Sequence, residues 1–288
     1  MAKLHVLVTG ATGKQGGAVA RRLIERGHRV RALTRDPASP AAIALAGIGV
    51  DVAMGSLEDR GSIARALAGA DALFAMSTPY EAGVAAEMRQ GIDAADAAKA
   101  AGVHLVYTSV GNADTGTGIP HFDSKAEVER HIRSIGVDAT ILAPVYFMEN
   151  VGFIRDQLRK GIYASPMSPG RKLMQIAVGD IAAAAVTAFE DRRQFIGKRY
   201  DLAGDELTGN ETVDILSRAI GRRMSYFQLP LDAVRGAMGE DGVKMYQWFE
   251  TTGYRVDRDA HRREFPEVPW LSFEAWARSQ DWNAFFAA

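Results

Sequence analysis

The stretch Gly10-Ala-Thr-Gly-Lys-Gln-Gly-Gly17 follows directly on the strand-like run His5–Thr9 and leads directly into a segment with helical periodicity. Glycines at 10, 13 and 16 in that setting answer three steric demands at once: a tight turn at a strand tip, close approach of backbone to a ligand, and tight packing of helix against strand. A helix that begins there turns unpaired N–H groups and the positive end of its dipole toward an anion. The spacing predicts a pyrophosphate, hence a dinucleotide, held at Gly10, Thr12, Gly13, Lys14, Gln15 and Gly16, with a bare glycine turn as the alternative. A mononucleotide loop fits less well, because Gln15 stands after Lys14 where a magnesium site needs Ser or Thr.

The rest of the first half repeats the pattern. Short apolar runs at 5–8, 29–33, 50–54, 72–76, 104–109 and 139–143 alternate with helix-period segments, which predicts a parallel sheet with crossover helices. In the first helix Gly16, Ala20, Leu23 and Ile24 share a face, and Gly27 supplies a stop, as Gly102 and Gly136 do later. After about residue 145 the alternation fades; strand candidates remain at 199–203 and 224–229, and Thr208 with Glu211 forms a capping box that opens a helix. The expectation is a Rossmann-type, doubly wound parallel sheet over 1–150, with a smaller mixed α/β substrate-side domain over 151–288 interleaved with it.

At the tip of the second strand, about 20 residues past the glycines, NAD-preferring proteins carry an acid for the ribose 2′-hydroxyl. Here Arg35 stands in that region, and its planar fork suits a 2′-phosphate, so NADP(H) is expected over NAD(H). A surface arginine paired with Asp36 is the other reading. A net charge of −1 shows no basic footprint for nucleic acid, and the absence of cysteine removes disulfides, thiolate metal sites and cysteine nucleophiles. The six histidines show no metal-ligand spacing, so no metal is expected. The start MAKLHVLVTG has no apolar leader and no stretch of about 18 apolar residues occurs, so a cytoplasmic protein without a membrane partner is expected.

TGATGKQGG at 9–17, ALTRDP at 32–37, PHFDSKAEVERHI at 120–132, ATILAPVYFMENV at 139–151 and the tail GYRVDRDAHRREFPEVPW together resemble the NmrA-like branch of the atypical short-chain dehydrogenase/reductases. The resemblance implies an NADP(H) domain with a cleft beside the smaller C-terminal part. It implies cofactor contacts at Thr78 and Pro79 after the fourth strand, and at Pro144, Val145 and Tyr146 after the sixth. The acid it implies after the third strand is not there; Gly55, Ser56 and Leu57 follow instead.

Ordinary members of that superfamily use a Tyr and a Lys four residues apart. Here the pair is His121 and Lys125, sharing a helix face with Val128 and Ile132. His121 is a candidate acid or base, or a helix-start histidine satisfied locally. Lys125 is a candidate ribose contact or base, and Ser109, at the end of the fifth strand, a candidate catalytic hydroxyl or a strand cap. Among the aromatic residues, Tyr80, Phe147 and Trp248 are expected to line an apolar pocket, from a set that also includes Tyr146, Phe153, Tyr246 and Phe249. Two functions stay open: an oxidoreductase passing hydride to a small hydrophobic or aromatic carbonyl, quinone or enone, and a non-catalytic NADP(H) sensor that acts through a regulatory protein partner.

Overall fold

All four residues of β1 (His5–Val8) are buried, as the central strand of a sheet covered on both faces must be. The structure is a computed structural model that describes residues 3–287. From β1 the chain runs through α1 (Lys14–Glu25), β2 (Arg29–Thr34), α2 (Pro40–Gly47), β3 (Asp51–Met54), α3 (Arg60–Ala66), β4 (Ala72–Ala75), α4 (Gly83–Ala101), β5 (His104–Thr108), α5 (Pro120–Ile135) and β6 (Ala139–Pro144). The six strands lie where the apolar runs place them. Gly27, Gly102 and Gly136 take φ of +80°, +67° and +60° at the ends of α1, α4 and α5, the left-handed cap that favours glycine.

Beyond β6 come β7 (Tyr146–Phe147), a 3₁₀ turn over Met148–Ile154, α6 (Arg155–Arg159), β8 (Ile162–Ser165), β9 (Lys172–Ile176), α7 (Val178–Glu190), α8 (Arg192–Phe195), β10 (Arg199–Leu202), β11 (Asp205–Thr208), α9 (Gly209–Ile220), β12 (Ser225–Gln228) and α10 (Leu231–Thr251). Three short helices follow: α11 (Arg258–Glu264), α12 (Phe273–Ser279) and α13 (Trp282–Ala287). The Thr208–Glu211 capping box forms at the start of α9.

Seven parallel strands make the large sheet, in the order β3-β2-β1-β4-β5-β6-β10. The order reverses direction between β1 and β4, and a doubly wound sheet takes its ligand in the crevice outside the strand ends at that point. Both the glycine turn, which leaves β1, and Ser77–Thr78, which leave β4, open into this crevice. The sheet also recruits chain from beyond residue 150: β10 pairs with β6, and α7 packs against α1. β9 joins β11 and β7 in a second sheet, and β8 pairs with β12. Of these, β7, β8, β9 and β11 escape sequence reading; each has two to five residues and is partly exposed, β7 being only Tyr-Phe and the other three mixing polar with apolar side chains.

Candidate dinucleotide and reaction site

The turn after β1 is closed by its own backbone. Gly10 has φ +61°, its carbonyl accepts from the Gly13 N–H at 3.0 Å, and Gly13 in turn accepts from Gly17 at 3.0 Å. The glycines differ in what surrounds them. A Cβ on Gly16 would lie 2.5 Å from the Gly10 oxygen and 2.6 Å from the Thr9 oxygen, whereas one on Gly13 would meet only the Gly10 oxygen, at 3.3 Å. Gly16 therefore serves the contact of helix with strand, and Gly13 is the less crowded of the two, with one tight backbone contact and an exposed outer side. The N-terminus of α1 has no side-chain cap and no acid in its first turn, which suits an anion.

Around the turn, Thr12, Gly13 and Lys14 are exposed, while Gln15 is buried and donates from Nε2 to the Thr108 hydroxyl at 2.8 Å. Lys14 reaches across the crevice: Nζ donates to the Glu149 carbonyl at 3.0 Å and sits 4.7 Å over the Phe153 ring. Although the side chain as a whole is exposed, desolvation of its ammonium against Phe153 lowers the Lys14 pKa against the pull of Glu149. Arg35 forms a two-pronged pair with Glu81, in the loop after β4, and not with Asp36. Both side chains are exposed, so the pair spans the mouth of the crevice in water.

The other end of the crevice is built on α5. Pro120 starts this helix and its buried stripe runs Phe122, Lys125, Val128, Glu129, Ile132. Lys125 Nζ donates to the Ser77 carbonyl at 2.7 Å and to the Ser77 hydroxyl at 3.0 Å, pairs with Glu87 at 3.1 Å, and lies 5.6 Å from the Tyr107 ring centre. Burial alone would weaken the charged form. The facing Tyr107, once ionised, and the Glu87 carboxylate outweigh it, so Lys125 stays above the ordinary lysine range, and at neutral pH it is an ammonium paired with Glu87.

Glu87 reaches this ammonium because α4 lies close on α5. At Gly91, one turn after Glu87, a Cβ would be 2.6 Å from Val128. Glu87 is itself 1% exposed and also accepts from the Ser124 hydroxyl, while Tyr107 and Ser77 share a hydrogen bond at 3.1 Å. Ser77, Glu87, Ser124 and Tyr107 were not singled out from the sequence. The one available signal was the stripe Glu87, Gly91, Ala94, Ala98, a single acid on an otherwise small-residue face.

His121 is part-buried one turn before Lys125, its Nδ1 2.8 Å from both carboxylate oxygens of Asp241 on α10, its ring edge-on to Phe122 at 4.8 Å. Ser109 is turned elsewhere. Its hydroxyl donates to Glu129, which is fully buried and also holds Arg199 at 2.8 Å, so Ser109 joins an ion-pair cluster away from Lys125. Thr78 donates its N–H to Gln90 and half-buried Pro79 follows it, while the Pro144 carbonyl is taken by the Gly111 N–H at 2.9 Å.

The aromatic set divides. Trp248 packs on Phe122, Phe249 and Tyr254 at centroid distances of 5.8, 5.7 and 5.4 Å, and Tyr146 and Tyr246 meet the same Phe249. Phe249 is fully buried core; Phe147 is half-buried in β7; Tyr80 and Phe153 stand exposed at 82% and 76%. Among the described residues no helix is long and apolar enough to cross a membrane.

A parallel sheet of this order with a glycine turn at its crevice defines a Rossmann-type dinucleotide-binding protein. The NmrA-like family profile matches residues 2–277, and the chain belongs to that family. It is 31% identical to the (4-alkanoyl-5-oxo-2,5-dihydrofuran-3-yl)methyl phosphate reductase of Streptomyces griseus, over 97% of this chain and 96% of that protein. It is 33% identical to the NAD(P)H azoreductase of Xenophilus azovorans, over 83% and 82%. The solved NADPH-dependent quinone oxidoreductase of Escherichia coli in complex with NADPH superposes with a TM-score of 0.76 at 26% identity, covering 94% of this chain and 98% of that one.

Proposed function

We propose that the chain is an NADP(H)-dependent oxidoreductase that reduces a small hydrophobic quinone, enone or aromatic carbonyl. One observation carries the reading: a buried Lys125, charged at neutral pH, is anchored to Ser77 after the end of β4, in the same crevice as the glycine turn. Reductase relatives that span nearly the whole chain support it. The residues fit the cofactor. Gly10, Thr12, Gly13, Lys14 and Gln15 would hold the diphosphate with Gly16 packing the helix beneath, Arg35 would take the 2′-phosphate once released from Glu81, and Thr78, Pro79, Lys125, Pro144 and Tyr146 would flank the nicotinamide end.

When bound, a nicotinamide dinucleotide supplies a hydride, two electrons with one proton, to the electrophilic centre of the substrate. The chain supplies the rest. All three Lys125 protons are engaged by Ser77 and Glu87, so this residue acts as a fixed positive charge that favours negative charge on the substrate oxygen, and not as a base. His121 is the side chain free to hand a proton to that oxygen. Tyr80, Phe147 and Trp248 are the aromatic side chains we assign to a flat, apolar substrate, Tyr80 from an exposed position.

The test is NADPH oxidation, followed by absorbance, against a panel of quinones, enones and aromatic ketones. Turnover well above the substrate-free rate is expected with at least one class. If none is consumed while NADPH still changes protease sensitivity, the protein is a sensor acting through a protein partner and the enzyme reading fails.

A further inference from the structure

We propose that Asp241, a residue of α10 far from the glycine turn in sequence, is a positioning residue that holds His121 with Nδ1 protonated and Nε2 free to deliver a proton in the cleft. The inference rests on the reductase reading above and adds to it the group that makes histidine serve where a tyrosine is missing.

The geometry leaves little choice of hydrogen-bond pattern. Both Asp241 oxygens lie 2.8 Å from His121 Nδ1, and Oδ1 also faces the His121 backbone N–H at 3.4 Å. Burial pushes the Asp241 carboxyl up, but the hydrogen bond and charge of His121 prevail and hold it below the usual range, so it is an acceptor only. An acceptor at Nδ1 makes that nitrogen the donor. The neutral ring then carries its lone pair on Nε2, on the far side from Asp241, and the protonated ring carries there the proton it can give.

The fold goes to some length to bring this carboxylate in. α10 breaks at Gly239, whose φ of +68° and ψ of −166° are not helical, and Asp241 follows two residues later. A Cβ on the next residue, Gly242, would lie 2.4 Å from the Met238 side chain, so the two glycines let the chain fold back tightly enough for Asp241 to meet the first turn of α5. The charged and titratable groups around the pair are Lys244 on α10 and Tyr80 on the loop after β4, and Tyr80 in turn faces Lys125 on α5 and Glu87 on α4.

In the step itself the substrate oxygen, made basic as hydride reaches the substrate, takes the proton from Nε2. The N–H bond breaks, the ring becomes neutral with Nδ1–H still on Asp241, and water at the cleft mouth restores the proton.

Two measurements test the assignment on full-length protein. The first is independent of turnover: long-range ¹H–¹⁵N spectra of the histidine rings at alkaline pH. His121 is expected as the Nδ1–H tautomer in the wild type and as a mixture or the Nε2–H form in Asp241→Asn. The second is a double-mutant cycle with NADPH and 2-methyl-1,4-naphthoquinone. Asp241→Asn is expected to lower kcat on the order of 10-fold and to alter its pH profile with KM for NADPH within about twofold, His121→Phe to lower kcat about 10²-fold, and the double variant to lose no more than His121→Phe alone. An unchanged tautomer in Asp241→Asn, or full additivity of the two kinetic losses, overturns the proposal. A tethered tautomer in a protein that reduces nothing upholds the positioning role and refutes the reductase reading instead. Thermal melts of each variant separate loss of fold from loss of function.

Discussion

The two ends of the crevice are built in opposite ways. The end we assign to the diphosphate is backbone: one turn, three glycines and the start of α1, all within eight residues, with geometry set by where a Cβ would collide. The end we assign to the reaction is side chain: Ser77 from the loop after β4, Glu87 from α4, Tyr107 from β5, His121 and Lys125 from α5, Asp241 from α10. A site made of backbone is encoded locally and needs glycine where a ligand or a neighbouring strand comes close. A site made of side chains depends on how five elements pack, and each partner is buried or half-buried so that the charges stay paired.

The sharpest way to break this contrast is within the glycines themselves. Gly16→Val drives a branched side chain into the carbonyls of Thr9 and Gly10, so loss of the cooperative fold is expected, read as collapse of the thermal melt. Gly13→Val, whose Cβ meets one backbone oxygen at 3.3 Å that a small shift of the turn must relieve, is expected to keep its cooperative melt and to lose far less than Gly16→Val. Similar melts for the two variants would show that the glycines do not divide the work as described.

At the reaction end, Lys125→Met is expected to lower kcat about 10²-fold or more while NADPH affinity changes far less. It also leaves Glu87 buried without its partner, a loss of up to about 3–5 kcal/mol in stability. Lys125→Met combined with Glu87→Gln should recover much of that stability and none of the rate. Recovery of rate in the double variant would mean that Lys125 only neutralises Glu87.

A buried carboxyl outside the proposed site carries a pH signature. Asp180 on α7 is fully buried, accepts the Leu271 N–H at 2.8 Å, and burial raises its carboxyl pKa to about 6. A carboxyl raised in the folded state contributes most to stability below its unfolded value and loses that contribution as pH rises through about 6. Asp180→Asn cannot ionise, so its stability relative to the wild type is expected to improve by about 1.4 kcal/mol between pH 5 and 7.5. A pH-independent difference, measured by denaturant titration, would show that Asp180 stays charged in the folded protein.

Much of this division was legible beforehand. The alternation of apolar runs with helical segments, and the glycine spacing, are short-range signals that survive in one chain, and the six leading strands follow from them. β10 was visible as a strand at Arg199–Leu202 but not as the seventh strand of the main sheet, because pairing over about 60 residues leaves no local mark. Lys125 and His121 were legible as an i, i+4 pair, yet their partners were not: Glu87 looks like any exposed helix acid until Gly91 brings α4 onto α5, and Asp241 depends on the break at Gly239. Ser109, plausible by position, proved to be tied to Glu129. Arg35 is legible at the tip of the second strand, but its partner Glu81, 46 residues further on, is not.

The smallest effects concern that exposed pair. Arg35→Asp is expected to erase or invert an NADPH-over-NADH preference of about tenfold, or 1.4 kcal/mol. Glu81→Gln frees Arg35 without removing it, so NADPH should bind up to about fivefold more tightly, within the 1 kcal/mol that an exposed ion pair is worth. Weaker NADPH binding in Glu81→Gln would mean that Glu81 supports the cofactor and does not compete with it.

Calorimetric titration of NADPH into the wild type and Gly13→Val tests the central claim most directly, because the claim places the diphosphate on the open side of that one glycine. The account predicts saturable binding to the wild type and none measurable to a Gly13→Val protein that is folded by circular dichroism. Undiminished binding by the folded variant would contradict it and place the phosphate site elsewhere.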